Sequence, residues 1–298
     1  MKYFKMLMLL CVFCMIGRSG ATASEPVPVF VSILPQKYFT EKIGGEFADV
    51  SVMVGSGGNP HNYEPKPRQM AKLSKAAVYF AVGVQFENVW LERFASVNKN
   101  MLIVRAQDGI RKIPMTSRHH EKEHVHGQLT TDNGQLTTDP HIWLSPPLVK
   151  IMAGNILNGF LTVDPGHKAE YETNHRKFIN EIDALDAEIR KIFAEKGEKS
   201  RFMVFHPSWG YFAHTYGLEQ IPVEIEGKSP KPAELRQLIT DAKKRDISVI
   251  FVQPQFSTAN AEVIAKGIGG QVVFADPLAG NWAENLRQMA AKFRAALR

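Results

Sequence analysis

The sequence predicts an α/β protein of two lobes, each a mainly parallel sheet flanked by helices, joined by one long rigid connecting helix. Three observations carry that expectation. Between residues 27 and 104, short apolar runs alternate with helix-patterned segments, the arrangement that builds βαβ units and parallel sheets. The same alternation returns in shorter form after residue 200. Between them lies a stretch with no Pro or Gly after Gly166 until about Glu195, in which Phe178, Ile182, Leu185, Ile189, Ile192 and Phe193 recur at three- and four-residue spacing. That spacing draws one apolar stripe down a long helix of roughly 30 residues.

In order, Val27–Ile33 reads as a buried strand and Pro35–Ile43 as a helix stopped by Gly44-Gly45. Asp49–Val54 is a strand, Lys66–Lys75 a helix, Ala77–Val82 a strand, Phe86–Phe94 a helix and Met101–Val104 a strand. Ser145-Pro146 pairs a capping residue with Pro in the first turn, predicting a helix to about Leu161. Asp164-Pro165 repeats the device and opens the connector. The second lobe reads as strands at Arg201–Phe205, Ser248–Val252 and Gln271–Ala275. Its helices are expected at Trp209–Tyr216, Lys231–Arg245, Ala259–Ile268 and Trp282–Leu297. The expected division is therefore a leader at 1–23, a first lobe at 24–163, a connector at 164–197 and a second lobe at 198–298.

The N-terminus has the order of a secretory signal: Lys2 and Lys5, an apolar run from Met6 to Ile16, then Ala21-Thr22-Ala23. Cleavage near Ala23 would place the mature chain in the periplasm and remove Cys11 and Cys14, the only two cysteines. Thiolate ligands and disulfides are then excluded, and a metal would have to be held by His, Asp or Glu. Loss of the leader also removes three basic side chains and no acid, so the formal charge falls from +6 to +3. That excess is too small, and too free of basic tracts with interleaved aromatics, to indicate a nucleic-acid partner. A monomer is expected.

Residues 114–140 break the pattern. They are polar, carry His119, His120, His124 and His126, and contain a direct repeat, Gly127–Asp132 copied at Gly134–Asp139. Such a segment reads as an inserted loop, and its four histidines as auxiliary metal capture. Elsewhere, potential ligands stand just beyond strand-like runs: His61 shortly after Asp49–Val54, His206 directly after Arg201–Phe205, and Asp276 directly after Gln271–Ala275. His141 sits at a helix entry. Ligands of open α/β sheets gather beyond the carboxyl ends of strands. Imidazole nitrogens with one carboxylate suit four-coordinate Zn²⁺. His167, His175 and His214 read as ordinary core or surface residues.

The motifs Asn59-Pro-His61-Asn-Tyr-Glu-Pro, Asp139-Pro-His141-Ile-Trp-Leu-Ser, Phe205-His206-Pro-Ser-Trp-Gly-Tyr-Phe and Asp276-Pro-Leu, with the His-rich insert, occur in order along the chain. Together they resemble the zinc-binding periplasmic solute-binding proteins of metal ABC transporters, a cluster that also includes manganese binders. The resemblance covers essentially the whole mature chain. It implies that His61 and His141 from the first lobe and His206 with Asp276 from the second hold Zn²⁺ between the lobes, with Glu64 or water as substitutes for Asp276. It further implies delivery to a membrane permease driven by a cytoplasmic ATPase, with no reaction catalysed. Two other readings stand beside it: a receptor of the same type for Mn²⁺ or another divalent metal, and, from a different class, a secreted zinc hydrolase. The hydrolase needs a general base beside an open zinc position; His120-Glu121-Lys122-Glu123-His124 spells a His-Glu-x-x-His run, but it falls in the polar insert, where no apolar periodicity supports the helix that motif requires.

Overall fold

The computed structural model describes residues 25–116, 138–195, 197, 200–224 and 229–297. The leader and all four histidines at 119, 120, 124 and 126 lie outside the described residues. The first sheet is formed by β1 (Val27–Ile33), β2 (Ala48–Val54), β3 (Val78–Ala81) and β4 (Leu102–Arg105). These run in the order β2-β1-β3-β4, with every pairing parallel. The second sheet repeats that plan with β5 (Arg201–Val204), β6 (Glu219–Pro222), β7 (Val249–Val252) and β8 (Gln271–Phe274), ordered β6-β5-β7-β8 and again parallel throughout.

The helices of the first half are α1 (Leu34–Gly44), α2 (Pro67–Leu73), α3 (Glu87–Val97) and α4 (Pro146–Val163). The connector is α5 (Lys168–Ile192), and the second half holds α6 (Gly210–Tyr216), α7 (Pro232–Lys244), α8 (Ala259–Ile268) and α9 (Trp282–Ala296). In both sheets the chain winds outward in one direction and then the other. Each therefore has a switch point at its second and third strands in space, β1/β3 and β5/β7, where such folds place their ligands.

Two details depart from the sequence reading. The connecting helix is 25 residues long because Pro165–His167 forms a separate 3₁₀ turn before it. There the Asp164 carboxylate accepts from His167 Nδ1 at 2.7 Å and from the Tyr171 hydroxyl at 2.6 Å, pinning the entry to α5. The strand β6 was not anticipated. It is four residues long and ends in Pro222, so it offers neither alternation nor an apolar run to read.

Side-chain alternation divides the second lobe's core. Phe202, Val204, Val249 and Phe251 join a main cluster that also contains β1, β3, α4, α5 and α9 residues. Met203, Phe205, Ile250 and Val252 face the other way, into a smaller cluster with Leu238 and Ala242 of α7 and Ile264 of α8. One continuous core therefore runs from the first sheet through α5 to the second.

Polar contacts add to that junction. Trp143 Nε1 donates to the Pro277 carbonyl at 2.7 Å, and Trp282 Nε1 donates to the Trp143 carbonyl at 2.6 Å. Tyr211 Oη accepts from the Ile113 amide at 3.1 Å and donates to the Asp139 carbonyl at 3.0 Å. Ser145, expected to cap α4, makes no side-chain cap; its hydroxyl is instead 2.8 Å from Thr215 Oγ1. No described helix is long and apolar enough to cross a membrane.

Candidate metal centre

Three histidines meet where the two sheets face each other. His61 lies in the turn segment between β2 and α2, His141 directly before the 3₁₀ turn Ile142–Leu144, and His206 two residues beyond β5. One ring nitrogen from each lies within 4.8 Å of the other two. His61 Nε2 and His206 Nε2 are 3.2 Å apart. The ring centroids are separated by 4.8 Å for His61–His206, 5.3 Å for His141–His206 and 6.4 Å for His61–His141. No other group of three or more candidate ligands of this kind occurs among the described residues.

Each imidazole is held from behind through Nδ1. His141 Nδ1 is 2.7 Å from Asp139 Oδ1, which also accepts the His141 backbone N–H at 2.9 Å. Asp139 is fully buried and His141 is 4% exposed. The close approach of α6 makes room for this carboxylate, because a Cβ at position 210 would lie 2.6 Å from Asp139 Oδ2, and Gly210 has none.

His206 Nδ1 is 2.6 Å from Glu224 Oε1, at the end of β6, and both residues are buried. Its backbone is clamped by Gln253, beyond β7, which accepts from His206 N at 3.1 Å and donates to His206 O at 2.6 Å. Phe256 stacks on the ring at 4.9 Å. His61 Nδ1 is 3.1 Å from Gln85 Oε1, just past β3. An Nδ1–H bonded to an acceptor leaves the Nε2 lone pair for a metal, so these partners aim three nitrogen donors at one point.

Burial pushes the pKa of both His61 and His206 below the ordinary 6.5; the neighbouring His206 lowers that of His61 further. The hydrogen bond to Glu224 opposes the effect at His206 without cancelling it. Both rings are thus biased toward the neutral, ligating form.

Asp276 is not in the three-residue group. Its Oδ1 accepts from Leu278 N at 2.9 Å and from Gln255 Nε2 at 3.1 Å, closing a turn ahead of α9. Glu64 is exposed and also outside the group. Sequence reasoning missed the roles of Asp139, Glu224, Gln85 and Gln253. Asp139 was visible in the Asp-Pro-His motif, but Glu224 follows the unanticipated strand β6 and had no local signal.

The family described as ZnuA, zinc-uptake complex component A, periplasmic, matches residues 29–296. The chain belongs to this family. The high-affinity zinc uptake system protein ZnuA of Bacillus subtilis (strain 168) is 29% identical over 269 residues, covering 88% of this chain and 82% of that protein. A crystal structure of ZnuA superposes with a TM-score of 0.82 at 40% identity, covering 91% of this chain and 99% of the other. A zinc-bound deletion mutant of ZnuA matches with a TM-score of 0.81 at 41% identity, covering 91% and 98%. The two-lobed α/β architecture with its helical connector is that of these ZnuA structures, and the family is a solute-binding component of a transport system.

Proposed function

We propose that this chain is the zinc receptor of an uptake system, capturing Zn²⁺ between its lobes and surrendering it to an ABC-type permease driven by a cytoplasmic ATPase. The single observation that carries this reading is the convergence of His61, His141 and His206 from both lobes on a point. The separation of 3.2 Å between two Nε2 atoms matches the edge of a tetrahedron of nitrogens about 2.0–2.1 Å from zinc, which is about 3.3 Å. Three imidazoles are a softer set than the oxygen-rich surroundings that suit Mn²⁺, and the relatives described as ZnuA are zinc-uptake proteins. Buried carboxylates on Nδ1 of two ligands supply two negative charges, which balance the dication in a largely dry site.

The fourth donor is assigned to Asp276, which follows β8 on the second lobe. The chain performs no catalysis in this reading: its chemistry is ligand exchange alone. Export by the leader, with cleavage near Ala23, places it in the periplasm as a monomer with lobes at 24–163 and 198–298 about the connector at 164–197. The histidines at 119, 120, 124 and 126 serve as auxiliary metal capture in this reading.

Metal analysis of the purified protein beside a His61→Ala, His206→Ala double variant tests the reading. One equivalent of zinc in the parent and none in the variant is expected; equal zinc in both would overturn it.

A further inference from the structure

Among the described residues the buried acidic side chains are Glu87, Asp139 and Glu224. Asp139 and Glu224 stand directly behind two of the candidate ligands, His141 and His206. Glu87, the first residue of α3, is 2% exposed, and its hydrogen bonds go elsewhere. A carboxyl group taken out of water is costly unless donors meet its oxygens. The donors gathered around Glu87 therefore identify what it holds.

They belong to the carboxyl ends of β1 and β3. Oε1 accepts from the Ser32 hydroxyl of β1 and from the Val82 backbone N–H, just past β3, at 2.9 Å. Oε2 accepts from the Gly83 N–H at 2.7 Å. Ser32 has one hydroxyl hydrogen, given to Glu87, so the Tyr79 hydroxyl 2.7 Å away donates to Ser32 Oγ. Gly83 takes up its position with φ +85°, and a Cβ there would lie 2.6 Å from Lys112 Nζ. The loop between β3 and α3 is thus bent around the Glu87 carboxyl group.

That loop carries what holds His61. Gln85 Oε1 is 3.1 Å from His61 Nδ1, and the Phe86 N–H donates to the Pro60 carbonyl, next to His61, at 3.1 Å. The Phe86 ring meets Tyr63, two residues beyond His61, with centroids 5.5 Å apart. We propose that Glu87 is a positioning residue of the metal site, fixing the β3–α3 loop so that Gln85 and Phe86 hold His61 where it ligates. The idea rests on the metal-site reading above. Each of the three imidazoles is then anchored to a buried acidic side chain, two of them directly and His61 through a loop.

Glu87→Gln keeps the shape and removes one acceptor. An amide NH₂ group cannot accept from a backbone N–H, so either Val82 or Gly83 loses its partner and the loop shifts. Zinc affinity should fall about tenfold, the lower end of the range for outer hydrogen-bond partners of metal ligands. A group acting through His61 has nothing to act on once that imidazole is gone, so the loss should vanish in a His61→Ala background.

Calorimetric zinc titrations of the full-length parent, Glu87→Gln, His61→Ala and the double variant close this cycle. A loss in the parent background and none in the His61→Ala background supports the proposal. Equal losses in both backgrounds, or no loss in the parent background, overturn it. Cobalt(II) loaded in place of zinc reports the ligand geometry: its visible spectrum should change in Glu87→Gln, and a spectrum identical to that of the parent also overturns the proposal. If Glu87→Gln does not fold, Ser32→Ala takes its place in the cycle, with an expected loss of about threefold for one hydrogen bond and the same outcomes. Tight zinc binding retained in His61→Ala alone would mean that the metal-site reading itself had failed.

Discussion

His61 Nε2 and His206 Nε2 lie 3.2 Å apart, although the residues are separated by 145 positions and belong to different sheets. Each ring reaches this point from beyond the carboxyl end of a parallel sheet. The contact is therefore made where the carboxyl ends of the two sheets meet, and the proposed metal site lies between the lobes.

Removing a ligand should weaken zinc binding more than removing any outer partner. His206→Ala is expected to lower zinc affinity by well over the roughly 100-fold upper range for outer hydrogen-bond partners. Asp276→Ala should cost less than any of the three histidine substitutions, because Asp276 already spends Oδ1 on Leu278 and Gln255. Competition titrations against a zinc indicator rank the four variants; an Asp276 effect larger than that of His206 would reverse the proposed order.

Glu224→Gln keeps an oxygen that can accept from His206 Nδ1 but discards the charge. A loss of about 10–100-fold in zinc affinity is expected with the fold intact. Calorimetry on the variant decides the matter: unchanged affinity would mean that the carboxylate orients the ring and contributes no charge to ion binding.

Acidification should release zinc, and the sign follows from the two depressed histidines. In the folded, metal-free protein His61 and His206 remain neutral below the pH of 6.5 at which free imidazole is half protonated. The unfolded chain takes up protons first, so the metal-free fold loses stability as the pH falls from about 6.5 toward the folded values. Zinc affinity should fall with pH as protons compete for the same nitrogens. Proton NMR titration should place both rings below 6.5, and either one titrating above it would contradict the burial argument.

Gly210→Ala would drive a methyl group to within 2.6 Å of the present position of Asp139 Oδ2. Asp139 is tied to His141 by two hydrogen bonds, so the displacement passes to the ligand. Zinc affinity should drop about tenfold, by analogy with loss of an outer partner, while circular dichroism stays that of the parent. Parent-like affinity would show that the carboxylate can shift without moving the imidazole.

Much of the architecture was legible before any coordinates. The unbroken stripe from Phe178 to Phe193 announced the connector, and the apolar run ending at His206 placed that imidazole just beyond a strand. What was hidden belongs to β6. With Glu219 exposed at one end and Pro222 at the other, it carries no periodic pattern, so the Glu224 that follows it could not be placed opposite His206. The true start of α5 was obscured in a similar way, because the bonds from Asp164 to His167 and Tyr171 outweigh the capping pattern that the sequence displays.

By itself the sequence determined the two α/β lobes, the long helix and the three imidazoles, because periodicity and strand-end placement are local properties written in neighbouring residues. The tertiary structure alone decided which groups stand behind those imidazoles and that Asp276 is turned into a backbone turn. Among them, Glu224 stands 18 positions from His206 and Gln85 stands 24 positions from His61. They depend on which strands each sheet sets side by side, and the meeting of His61 with His206 depends on the core shared by the two sheets, long-range packing outcomes that no local pattern encodes.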